Sequence, residues 1–153
     1  MSITKHIKFM NRALQEAKKA GQKDEVPVGA VVVTEKGKIL ASAHNLVISL
    51  CDPTAHAEIL AIRKAASSVQ NYRLLNTILY VTVEPCIMCM GTIIHARIST
   101  VVFGTFDPKW GGAGSLYDFS SDTRLNHQLE IVPAICEDEC KVLIQNFFRS
   151  KRK

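Results

Sequence analysis

No apolar run in the 153 residues approaches the roughly 20 needed to cross a bilayer as a helix. This excludes a helical membrane protein. The N-terminal stretch lacks an apolar segment followed by a small-residue cleavage motif. Lys5, Lys8, Arg12, Lys18 and Lys19 are spread through it instead. That pattern argues against a secretory signal, and the chain reads as cytoplasmic. The sequence also lacks internal repeats, low-complexity tracts and linkers rich in proline, glycine or serine. One domain over residues 1–153 is the simplest partition. A large charge of one sign is missing too. Nineteen basic and fourteen acidic residues leave a formal +5, a weak pointer to a polyanionic partner. Its placement says more, because Arg149, Lys151, Arg152 and Lys153 crowd the C-terminus. On charge alone such a run is usually a solvated tail.

Hydrophobic residues make up 47% of the chain, enough for a core. Five cysteines are present: Cys51, Cys86, Cys89, Cys136 and Cys140. An odd number without a signal argues against a disulfide framework and favours metal binding or buried thiols. Ile3, Ile7, Met10, Leu14 and Ala17 recur at helical spacing and predict an amphipathic helix over residues 3–19. Val28 to Val33 predicts a buried strand, and Glu35-Lys36-Gly37-Lys38 a turn into a second strand, Ile39 to Ala43. Thr54 can cap a helix from about Ala55 to Ser67. Thr77 to Val83 predicts a strand, and Pro85 the first position of a helix reaching His95. Further strands are expected at Val101 to Phe106 and Leu129 to Val132, then a helix from Glu137 to Phe148. Strands separated by helices imply crossovers, and hence an α/β mixed sheet covered on both faces. Residues 107–127 form a long stretch rich in Gly, Asp and Ser, a length usually functional or mobile.

Cys86 and Cys89 stand three apart on a predicted helix, so their sulfurs face one way. Free N–H groups and the dipole in a first helical turn favour thiolate over thiol. His56, also in a predicted first turn, can supply a third ligand. Three protein ligands leave a tetrahedral zinc one position for water, the mark of a catalytic site. Glu58 is two residues from His56 and off its helix face, so it is read as a non-ligand beside the metal. Two thiolates neutralise Zn²⁺ and acidify its water less than histidines would, so a carboxylate has to carry the proton. Each piece alone has a plainer reading. A Cys-x-x-Cys can be a structural knuckle or a redox pair, and a lone His a core or surface residue. Cys51, Cys136 or Cys140 could close a structural site, but none repeats the paired spacing. His56-Ala57-Glu58 followed at a distance by Pro85-Cys86-Ile87-Met88-Cys89 is far more specific. It matches the signature of zinc deaminases of nucleobases.

Further stretches extend this match: Val26-Pro27-Val28-Gly29-Ala30-Val31, Asp52-Pro53-Thr54-Ala55 with His56-Ala57-Glu58-Ile59, Tyr80-Val81-Thr82 with Glu84-Pro85-Cys86, Val101-Val102-Phe103-Gly104, Gly114-Ser115-Leu116 and Asn146-Phe147-Phe148-Arg149. Through them the chain resembles the bacterial tRNA-specific adenosine deaminases, which turn the wobble adenosine of an arginine tRNA anticodon into inosine. The metal motifs mark the superfamily; Gly114-Ser115-Leu116 and the Phe-Phe-Arg end point to the tRNA branch. The resemblance implies a three-layer cytidine-deaminase-like fold, a five-stranded mixed sheet between helices, in a homodimer. It implies one zinc on His56, Cys86 and Cys89, with Glu58 as proton shuttle and activated water attacking C6 of adenine. Asn45 would hydrogen-bond the flipped base, with Ala55 and Pro85 beside it. Asp107, Lys109 and Asn126 would contact neighbouring nucleotides of the anticodon stem-loop. Phe148, Arg149 and Arg152 would lie against the RNA.

Residue chemistry supports part of this independently. RNA loops are held by stacking splayed bases on aromatics and pairing phosphates with Lys or Arg, and residues 147–152 supply those types. One phenylalanine is expected to face inward and one towards the substrate. Asp107 could equally be a turn residue and Asn126 a turn cap. Three positions depart from the family pattern: Phe106 where a polar or basic residue is common, a bulky Trp110, and Met90 where a small residue is usual. Two other readings share the metal motifs. One is a deaminase of a free base or nucleoside such as guanine or cytosine, with a closed pocket and no basic tail. The other is a zinc protein that binds RNA without catalysis.

Overall fold

The valines of the first strand alternate between two environments, and that alternation organises the molecule. In the computed structural model, which describes residues 2–152, the order is α1 (Ile3–Gln22), β1 (Gly29–Thr34), β2 (Ile39–His44), α2 (Ala57–Val69), β3 (Thr77–Val83), α3 (Ile87–His95), β4 (Thr100–Thr105), β5 (Glu130–Val132) and α4 (Glu137–Lys151). Lys153 lies outside the described residues. The five strands run in the order β2-β1-β3-β4-β5. β1 is antiparallel to β2 and β3, while β3, β4 and β5 are parallel. Side chains alternate across a strand. Val31 and Val33 of β1, with Ile78 and Tyr80 of β3, pack under Phe9, Met10 and Leu14 of α1 and Cys140 of α4. Ala30, Val32, Leu79 and Val81 face the other way, against Ala61, Ile62 and Ala65 of α2 and Met90 and Ile93 of α3. β1, β3 and most of β4 are covered on both faces, so they read as continuous apolar runs. Among the described residues no helix is long and apolar enough to cross a membrane.

Two helix starts differ from the sequence expectation. α2 begins at Ala57, and Thr54 does not cap it. Asp52 captures the N–H and hydroxyl of Thr54 at 2.9 and 2.7 Å, closing a local turn instead. The Ala57 N–H is taken by Asn45 Oδ1 at 2.7 Å, so the cap comes from the end of the hairpin. α3 begins at Ile87, not at Pro85. The Pro85 carbonyl accepts from Gly112 N–H at 2.8 Å, and Cys86 pairs with Gly111 as an isolated bridge. Those two ties keep the chain extended through Cys86. α4 runs three residues beyond Phe148, and α1 continues to Gln22 because Ala20 is still fully buried.

Candidate metal centre and its flanking loops

Both corrections move site residues to the same kind of position. His56 is the N-cap of α2 and Cys86 the N-cap of α3, each with extended backbone. Cys89 follows in the first turn of α3. The two helix starts converge at the C-terminal end of β3, where free N–H groups favour negative charge. His56 Nδ1 lies 3.7 Å from Cys86 Sγ and 3.5 Å from Cys89 Sγ. The three ligand atoms all fall within 4.8 Å of one another. A tetrahedral zinc with Zn–S near 2.3 Å and Zn–N near 2.0 Å requires S···N separations of roughly 3.5 Å. The donor set therefore fits zinc in chemistry and spacing. It is the one His/Cys/Asp/Glu cluster of this kind among the described residues. Cys51, Cys136 and Cys140 are not in it, and Cys140 is buried against Gly104 on the other face of the sheet.

Electrostatics separates the groups. A hydrogen bond from Cys89, then His56, hold the Cys86 thiol down to about 4. The same pairing, with burial, pushes Cys89 up. Cys86 in turn raises His56. Glu58 is 3% exposed, and burial raises its carboxyl to about 7, against the opposing pull of its own N–H and of His56. It stays outside the ligand cluster, beside it in the first turn of α2. A carboxyl poised near neutrality can both accept and return a proton.

Two further buried carboxylates, which sequence reasoning missed, hold the loops around this centre. Glu84, 2% exposed, precedes Pro85. It accepts from the Asp107 N–H at 3.1 Å, the Ala113 N–H at 3.1 Å, the Ser115 N–H at 3.0 Å and the Ser115 hydroxyl. A Cβ at Gly111 would stand 2.4 Å from that carboxyl, so the loop can close on it only with glycine there. Glu25, 1% exposed, accepts from the Ile48 and Ser49 N–H groups at 3.1 and 2.6 Å and from the Ser49 hydroxyl at 2.7 Å. It thereby braces the loop before His56. The available signal was a carboxylate directly abutting each apolar run, Glu25 before Val26 and Glu84 after Val83.

The remaining candidates divide by location. Asn45 and Ala55 are buried beside the start of α2, and Pro85 is buried before Cys86. Asp107 and Lys109 sit on the Glu84-held loop. The Asp107 carboxylate accepts from the N–H groups of Lys109 and Trp110 at 3.1 and 3.3 Å, so it builds its own turn. Asn126 lies elsewhere. It accepts from Arg97, just past the C-terminal end of α3, about 13 Å of helix away from the thiols. The end of α4 comes to the metal end of the sheet. Lys151 pairs with Asp24 at 2.8 Å, in the connection leading to Gly29. The Gly29 N–H is bonded to Thr82, at the C-terminal end of β3. Phe148 is 43% exposed there, while Phe147 is half-buried; Arg149 and Arg152 are exposed.

Comparison with known proteins agrees with this geometry. Residues 3–105 match the cytidine and deoxycytidylate deaminase zinc-binding region. The chain is 47% identical to a tRNA-specific adenosine deaminase of Haemophilus influenzae, covering 95% of this chain and 84% of that one. It is 45% identical to one of Bacillus subtilis, covering 99% and 93%. A solved structure from work on A-to-I editing by tRNA:A34 deaminases at the wobble position superposes with a TM-score of 0.85 at 41% identity, over 88% of this chain and 97% of the other. The likeness thus runs over nearly the full length, from the metal motifs through the loops that flank them, and the chain belongs to the tRNA-specific adenosine deaminase family.

Proposed function

We propose that this protein hydrolyses the wobble adenosine of a tRNA anticodon to inosine, releasing ammonia. The observation that carries the chemistry is the division of labour at the centre. Three side chains converge at zinc spacing, and a fourth, Glu58, stays apart with its carboxyl raised to about 7. His56, Cys86 and Cys89 would hold a zinc ion, which when bound would supply Lewis-acid activation of the attacking water. Glu58 takes a proton from that water and gives it to N1 of adenine as the C6–O bond forms. It then carries the second proton to the departing amino group as the C6–N bond breaks. Water plus adenosine thus balances to inosine plus ammonia.

The chain's other residues bind and orient. Asn45 Oδ1 is occupied by Ala57, which leaves its NH2 to donate to the purine, between Ala55 and Pro85. Asp107 and Lys109 present the Glu84-held loop to neighbouring nucleotides. Phe148, Arg149 and Arg152 lie against the RNA from the end of α4. Asn126, at the other end of α3, meets a different stretch of RNA than Lys109 does. The reading extends to an arginine tRNA as substrate, a homodimer as the working form and a cytoplasmic setting.

The test is direct. The zinc-loaded protein is incubated with an anticodon stem-loop bearing adenosine at the wobble position, beside free adenosine, guanine and cytosine. Inosine is expected in the RNA alone, and turnover of a free base alone would overturn the proposal. Glu58→Ala should keep its zinc and lose deamination by about 100-fold or more. Unaltered activity in that variant would remove Glu58 from the mechanism.

A further inference from the structure

Trp110 is the one tryptophan of the chain, and it is 63% exposed. It belongs to neither hydrophobic cluster and packs against no aromatic ring among the described residues. Its backbone, in contrast, is tightly held. The Asp107 carboxylate accepts from its N–H, and the Asp107 carbonyl accepts from the Gly111 N–H at 2.9 Å. Glu84 grips the loop on both sides of this turn, at Asp107 and at Ala113 and Ser115. Gly111, the next residue, is bridged to Cys86. A large apolar ring is therefore presented to solvent on a preorganised turn, one residue from the backbone that pairs with the main chain of Cys86.

From this geometry we infer that Trp110 is a stacking platform for an unpaired nucleobase adjacent to the reacting adenosine. The inference rests on the RNA substrate proposed above. Stacking on an indole needs only a base face, so it suits a splayed loop nucleotide whatever its identity. The surroundings fit RNA. Lys109 is the exposed neighbour of Trp110, and Arg149, Lys151 and Arg152 carry further positive charge to the same end of the sheet. Holding the turn rigid in advance lowers the entropy cost of docking a base on it. Phe106, 44% exposed at the start of the loop, differs in being committed edge-on to Phe103 at 5.1 Å. The Trp110 ring, in contrast, has no aromatic partner among the described residues.

Because no other tryptophan is present, emission excited beyond the tyrosine absorption band reports this side chain alone. The zinc-loaded Glu58→Ala protein, which does not consume substrate, is titrated with the anticodon stem-loop. Emission should be quenched, and a stem-loop with abasic residues on both sides of the target adenosine should lose most of the quench. In the catalytically intact background, Trp110→Ala should raise KM for the stem-loop about tenfold with kcat nearly unchanged. Trp110→Phe should restore most of the loss. Absence of quenching, a quench undiminished by the abasic residues, or a KM for Trp110→Ala within about twofold of the parent overturns the platform. So does a shift in sedimentation of Trp110→Ala, which would assign the ring to a second copy of the chain. If the parent protein makes no inosine in the stem-loop, the substrate reading fails and the platform with it. Inosine in the parent with an unchanged KM in Trp110→Ala sinks the platform alone.

Discussion

Glu25, Glu58 and Glu84 are all buried glutamates, in the candidate centre or in the segments that flank it, and they differ in what points at them. Glu84 has four donors on its two oxygens and Glu25 has three, so both are satisfied as carboxylates. Burial pushes Glu25 up, but the Ser49 hydroxyl and the N–H groups of Ser49 and Ile48 outweigh it and leave its carboxyl below the usual value. Burial wins at Glu58, and its raised carboxyl suits the proton-carrying role proposed for it. This has a measurable consequence for Glu25. A depressed folded-state pKa contributes stability that is full above the ordinary carboxylate value of 4.5 and is lost as pH falls through the folded value. Glu25→Gln should therefore cost stability near pH 7 and erase part of the acid sensitivity. Urea midpoints of parent and variant should differ most at neutral pH and approach each other below about pH 4. Parallel curves across that range would show that Glu25 carries no such linkage.

At the level of elements, the site is made by the way helices start and pack. Neither metal-binding helix start is capped by its own side chain. α2 borrows Asn45 from the hairpin, and Cys86 is held extended by the loop that follows β4. On the opposite face, α4 approaches β4 so closely that a Cβ at Gly104 would lie 2.3 Å from Cys140 Sγ and 2.7 Å from the Thr82 carbonyl. Packing that tight tolerates no added methyl without backbone movement. Gly104→Ala should destabilise the fold by about 1–3 kcal/mol. Chemical denaturation at constant m-value checks this, and a loss under about 0.5 kcal/mol would mean that α4 can slide outward freely. The displacement would also carry Phe148 and Arg149, so RNA binding should weaken along with stability.

Over the whole molecule, the α4 end, the Glu84-held loop and the metal centre gather at one end of the sheet, while Asn126 and Arg97 sit at the far end of α3. Charge that is modest in sum is thus concentrated where the substrate is proposed to bind. Truncation after Phe148 removes Arg149, Lys151, Arg152 and Lys153. It should weaken stem-loop binding and flatten the slope of log K against log salt by about 0.7 for each phosphate that is no longer neutralised. An unchanged slope would leave the tail as solvated charge. The Lys151–Asp24 pair is exposed on both sides and adds little stability, so the truncation should barely move the melting temperature.

Much of this was legible in residue spacing. Alternating apolar runs specified the strands, and the five-strand α/β order followed from the helices between them, because side-chain period and turn chemistry are local properties. The ligand trio and the separate carboxylate were legible for the same reason, since His56, Glu58, Cys86 and Cys89 carry their chemistry in residue type and interval. What spacing could not reveal depended on contacts between distant segments. Thr54 looks like a cap until Asp52 claims its hydroxyl, and Asn45 takes the role from twelve residues away. Pro85 looks like a first helical residue until Gly112 claims its carbonyl. Glu25 and Glu84 are ordinary carboxylates in the linear chain and become braces only when backbone N–H groups from remote loops close around them. The chemistry of the candidate centre is therefore written in the types and spacing of His56, Glu58, Cys86 and Cys89. Its position, its flanking loops and the exposure of Trp110 come from long-range packing, because hydrogen-bond satisfaction of buried groups is settled only when the whole chain has folded.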